Sequence, residues 1–91
     1  MAATFDKTIS VMGDRRVVFG TITMTSVTSG AVASGLNYIV GGGFAYDSYT
    51  SNVPNAVVMF NRSSANSTLN GYILVQTCTA GDTFKIFAIG E

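Results

Sequence analysis

The chain has no histidine, one cysteine, one proline and little charge of either sign. Nucleophile triads need a histidine or an equivalent base, so that chemistry lacks its usual partner. A lone Cys78 excludes a disulfide within the chain and offers no zinc set, and it reads as a small, half-buried strand residue. The acids are Asp6, Asp14, Asp47, Asp82 and Glu91. Asp14 and Asp82 stand beside glycines in turns, where Asp caps its own backbone, and no run of acids has calcium-loop spacing. Only Asp6 and Asp47 remain as a conceivable carboxylate pair, with nothing in the sequence to bring them together. The expectation is a protein that is not an enzyme and holds neither cofactor nor metal.

Charged residues make up 11% of the 91 residues and sum to zero, against roughly 25% in an average soluble domain. Neutralising phosphates takes clustered Lys and Arg, and Arg15-Arg16 is the one adjacent basic pair, so nucleic acid is not an expected partner. A single domain spanning residues 1–91 of this size buries only about 60–65% of its unfolded surface. With 47% hydrophobic residues and few charges to cover the rest, partner subunits are expected over part of the surface. The opening MAATFDKTISVMGDRR lacks a basic start and an apolar core, so no signal peptide is expected and synthesis is placed in the cytoplasm. Asn61-Arg62-Ser63 and Asn66-Ser67-Thr68 match the glycosylation pattern and read as chance matches in polar turns.

Residues 29–46, SGAVASGLNYIVGGGFAY, carry no charge and five glycines. A membrane helix needs about twenty predominantly apolar residues, and the glycines, two serines and an asparagine weaken that reading. A membrane barrel needs at least eight strands of about nine residues. A phosphate cradle needs glycines leading into Lys-Ser/Thr or into a helix, whereas Gly35 leads to Leu36-Asn37 and Gly43 to Phe44. The stretch therefore reads as sheet, its glycines letting backbone pass close to backbone.

Strand signals recur along the chain. Thr4 to Met12 alternates loosely before a Gly13-Asp14 turn. Arg16 to Thr25 sets Val18, Gly20, Ile22 and Met24 on one face and Thr21, Thr23 and Thr25 on the other, with a bulge or strand end at Ser26-Val27. Leu36 to Val40 and Phe44 to Tyr49 follow, then a turn at 50–52 and a strand opened by Pro54. Asn61 to Asn70 is polar and turn-rich, and Asn70-Gly71 signals a hairpin before Tyr72 to Thr77. Ala80-Gly81-Asp82 turns into Phe84 to Ile89. The fold class is all-β: an antiparallel β-sandwich, jelly-roll or immunoglobulin-like, or a compact barrel of about seven to eight short strands. Strands around Val57, Ile73 and Ile86 are apolar on both faces, a second reason to expect an oligomer. Residues 1–8 are a candidate arm or edge strand. Tyr38, Tyr46, Tyr49 and Tyr72 suit either sheet packing or a binding surface.

A Gly-Asp-x-Arg turn (Gly13, Asp14, Arg16) leads into Gly-Thr-x-Thr (Gly20 to Thr23), followed by Ser-Gly-x-x-x-Ser-Gly-Leu (Ser29 to Leu36) and the Asn-Gly pair. The chain closes with Gly-Asp-x-Phe (Gly81 to Phe84) and Ala-x-Gly (Ala88 to Gly90). This pattern resembles the small virion structural proteins of tailed bacteriophages. The resemblance implies a cofactor-free β-sandwich in the virion, a capsid decoration or cement protein, trimer favoured, that binds the major capsid protein. Interface candidates are Phe5, Ile9, Tyr38, Tyr46, Tyr49, Val57, Met59 and Phe87. Two alternatives stay open: a tail, fibre or head–tail component, and a carbohydrate-binding sandwich using Tyr46 and Tyr49 beside the 50–52 turn.

Overall fold

The computed structural model describes residues 3–25, 29–48, 56–64, 66–78 and 81–91. It contains seven strands: β1 (Ala3–Met12), β2 (Arg15–Met24), β3 (Gly30–Ala33), β4 (Ile39–Ser48), β5 (Val57–Ser64), β6 (Ser67–Gln76) and β7 (Thr83–Gly90). They form two antiparallel sheets, one in the order β1-β2-β7-β4 and one in the order β3-β6-β5. The all-β sandwich expected from strand spacing is the fold found. The break expected at Ser26-Val27, the 50–52 turn, Pro54, Tyr49 and Ala80 lie outside the described residues.

Alternation explains the larger sheet. On β2, Val18, Ile22 and Met24 point inward and are buried, while Phe19 faces out and is exposed. On β7, Phe84, Ile86 and Ala88 point inward, and Lys85 and Phe87 point out. The smaller sheet answers with Val32, Ile73 and Val75, and Leu36, Ile39 and Cys78 close the core. Period-two burial of branched and aromatic residues is what holds two sheets about 10 Å apart.

The strand order has its own arrangement. In an immunoglobulin constant domain the fifth strand lies between the second and fourth, and the seventh beside the sixth. Here β7 takes the first of those places and β5 the second.

Two local expectations differ. Asn70-Gly71 is not a turn; it lies inside β6, and the hairpin closes nearer the chain start, where Ser64 pairs with Ser67. Gly71 has φ of 82° because β6 bulges there, and a side chain would strike the Leu36 carbonyl. The Gly41–Gly43 run does not separate two strands, since β4 passes through it with a register shift between Ile39 and Gly41.

The segment from Ser34 to Ile39 carries the chain from the small sheet to the large one. Ser34 N–H donates to the Gly71 carbonyl at 2.8 Å, and Leu36 N–H donates to Ser34 Oγ at 3.1 Å. Glu91 N–H donates to the Tyr38 carbonyl at 3.0 Å. Asn61, with φ of 61°, then ties both sheets. Its Oδ1 accepts from Ile39 N–H at 3.0 Å and from Gly71 N–H at 3.0 Å, and its Nδ2 donates to the Ile39 carbonyl at 2.8 Å. Asn tolerates that left-handed backbone better than most residues. The amide of this glycosylation-like triplet is thus occupied by the fold.

Asn61→Ala removes three hydrogen bonds and leaves a β-carbon in a left-handed position. The expected loss is about 3 kcal/mol, read as a lower urea midpoint. A loss below about 1 kcal/mol would show that the crossing holds without it.

Candidate functional site

The expected interface residues do not gather into one patch. Phe5 is half-buried, its ring set against Gly20, where an added β-carbon would come within 2.7 Å of Phe5 Cε1. Tyr46 packs on Phe84 with ring centroids 4.7 Å apart, and its hydroxyl accepts the Ala56 N–H at 3.0 Å. Both serve the interior, and Tyr46 is not an open sugar platform. Tyr49 lies outside the described residues. Met59 is half-buried opposite Leu74. Ile9, Tyr38, Val57 and Phe87 are exposed, each on a different part of the molecule.

Two surfaces emerge instead. The first is the edge of β1. All ten of its residues pair with β2 in unbroken register, and as the first strand of its sheet it has no second strand partner among the described residues. Lys7, Ile9 and Val11 lie on the core-facing side by alternation, in register with Gly20, Val18 and Arg16. β3 spans only Gly30–Ala33 and stops short of them. Ile9 lies over Gly35, its Cδ1 within 2.8 Å of where a β-carbon would stand, and stays 42% exposed. Val11 is 71% exposed and Met12 57%. Loose alternation marked this strand in the sequence, but the shortness of β3 that uncovers it had no sequence signal.

The second surface is the outer face of the large sheet, a groove of about 580 Å³. Phe19 and Phe87 pair across β2 and β7 with centroids 5.6 Å apart and planes tilted by 40°. One row along, Asp6, Thr21, Lys85 and Ala45 stand side by side across four strands. Lys85 Nζ donates to Thr21 Oγ1 at 3.0 Å. On the β4 side the wall is Gly43 and Ala45, and nothing lies within 4 Å of a β-carbon placed on Gly43. An exposed Arg15–Glu91 ion pair at 3.3 Å lies further along the same face and adds little stability.

Among the described residues no group of three or more His, Cys, Asp and Glu could hold a metal, and no helix is long and apolar enough to cross a membrane. Cys78 and Asp82 are both buried. Burial pushes the Cys78 thiol above its ordinary value of 9.0, and the Asp82 carboxylate adds to the shift, against a smaller backbone hydrogen bond. Compared with protein-family models, curated proteins and solved structures, the chain matches none.

A thiol whose pKa is raised on folding stabilises the protein below its unfolded pKa and loses that contribution as pH rises through the folded one. Wild-type stability is expected to fall more steeply than that of Cys78→Ala above about pH 9, by at most about 1.4 kcal/mol per pH unit. Paired urea titrations measure the difference, and identical slopes would contradict the burial of the thiol.

Proposed function

We propose that the protein is a non-enzymatic virion subunit, a capsid decoration or cement protein of a tailed bacteriophage, that acts by strand and sheet association. The observation that carries this reading is the β1 edge: ten residues long, unbroken by a bulge or proline, with Ile9, Val11 and Met12 uncovered. Monomeric proteins blunt such edges with bulges, prolines or inward charges, and of these β1 has one, the core-facing Lys7. A strand added there would satisfy a row of backbone groups and cover the apolar side chains at once. The absence of histidine and the low charge support a mechanical role over a chemical one. The resemblance of the glycine-turn pattern to small phage virion proteins supports a place in the virion, with self-association into a trimer and the major capsid protein as partner.

Light scattering over a range of concentrations is expected to give a trimer, and Val11→Lys is expected to give a folded monomer that no longer sediments with empty phage heads. A wild-type protein that stays monomeric when concentrated, or a Val11→Lys variant that keeps mass and head binding, would overturn the reading.

A further inference from the structure

The groove on the outer face of the large sheet is not needed for strand addition at β1, and its lining has a different chemistry. In the middle of this sheet β2 and β7 have ladder partners on both sides. An occupant lying across them finds no free backbone edge and must be held by side chains. That disfavours an extended peptide, whose affinity comes from main-chain pairing. The side chains offered are two exposed phenyl rings, 45% for Phe19 and 38% for Phe87, rimmed by one acid, one base and two hydroxyls (Asp6, Lys85, Thr8 and Thr21). Acid and base cancel, so the lining selects neither an anion nor a cation. It presents donors and acceptors together, and Lys85 keeps two ammonium hydrogens beyond the one given to Thr21.

The glycines of β4 point the same way. Gly42 has a structural reason, since a side chain there would strike the Phe87 carbonyl. Gly41 and Gly43 have none, since neither has a positive φ and the space above each is open, and of the two Gly43 lines the groove. Glycine inside a strand weakens it, and it is found where a ligand or another backbone approaches closely. At Gly43 the missing side chain leaves the flank of Phe87, its register partner, accessible from the β4 edge. The groove volume of about 580 Å³ falls within the usual range for small-ligand sites, in which apolar walls carry a few oriented polar groups.

We propose that this groove binds a neutral oligosaccharide, with Phe19 and Phe87 beneath the C–H face of a sugar ring and Asp6, Thr8 and Lys85 on its hydroxyls. The site moves the carbohydrate reading from Tyr46, which packs on the core residue Phe84, to the opposite side of the sheet. It does not rest on the shell reading and survives that reading's failure.

The test is a titration of the isotope-labelled protein, followed by amide NMR, with four neutral probes: maltotriose, mannotriose, galactotriose and tri-N-acetylchitotriose. At least one probe is expected to move the amides of residues 6–8, 19–21 and 85–87, with a dissociation constant on the order of 0.1–1 mM. Phe87→Ala is expected to weaken binding at least about tenfold, roughly 1.4 kcal/mol. Gly43→Val offers a variant that favours the strand and fills the flank, and it should fold and lose binding. Unmoved amides with all four probes at about 20 mM, or Gly43→Val binding as well as wild type, would overturn the proposal. Shifts of the same amides on dilution without sugar would also overturn it and assign the face to a second copy of the chain.

Discussion

The rest of this structure depends on how the chain crosses from one sheet to the other between Ser34 and Ile39. The crossing runs so close to β6 and β7 that a side chain at Gly71 or Gly90 would overlap the carbonyls of Leu36 and Tyr38. Its backbone groups cannot all reach a ladder, and buried groups left unpaired are costly. Ser34 Oγ, Asn61 and the backbone of Gly71 and Glu91 take them up. Leu36 and Ile39 then drop into the core from a fixed backbone, and β4 begins in register with Gly90.

Among the described residues the two sheets do not cover each other fully. The small sheet gives β1 just four residues of β3 beside it. On its other face the large sheet leaves Phe19 and Phe87 open among the described residues. Among the exposed apolar residues, two groups have different companions. Ile9, Val11 and Met12 sit along a free backbone edge, which suits pairing. Phe19 and Phe87 sit over a saturated ladder among polar side chains, which suits a ligand gripped from its sides.

Much of the architecture was legible in the sequence because period two is a strong signal where one face is buried. Arg16 to Thr25 and Phe84 to Ile89 declared their inner and outer faces residue by residue. Asn70-Gly71 misled because an Asn-Gly pair signals a two-residue turn and also suits a strand bulge, and only the register shift between Phe60 and Arg62 and the Asn61 side chain on Gly71 N–H decide between them. The polar run from Asn61 to Asn70 looked like a loop, yet it builds the tip of the β5–β6 hairpin, where solvent on both faces removes any need for alternation. The tyrosines misled for a related reason. Residue type alone does not tell whether the hydroxyl of Tyr46 meets water or the N–H of Ala56. The groove was hidden because its members come from four strands, and its clearest mark was a glycine with nothing around it.

The position of β7 has a consequence for how the molecule assembles in time. The last strand in chain order is a central one, lodged between β2 and β4. During synthesis the β1–β2 and β5–β6 hairpins can form as soon as they emerge, since both are local. The large sheet cannot close until Thr83–Gly90 has left the ribosome, and until then β2 lacks one of its two neighbours and β4 lacks its ladder partner among the described strands. Folding is therefore a late, concerted event dominated by contacts far apart in sequence, the regime of milliseconds to seconds rather than microseconds. In that interval a nascent chain and its neighbours on the same message present one another with complementary vacant places. Exchange of β7 between copies is then a built-in hazard of this strand order.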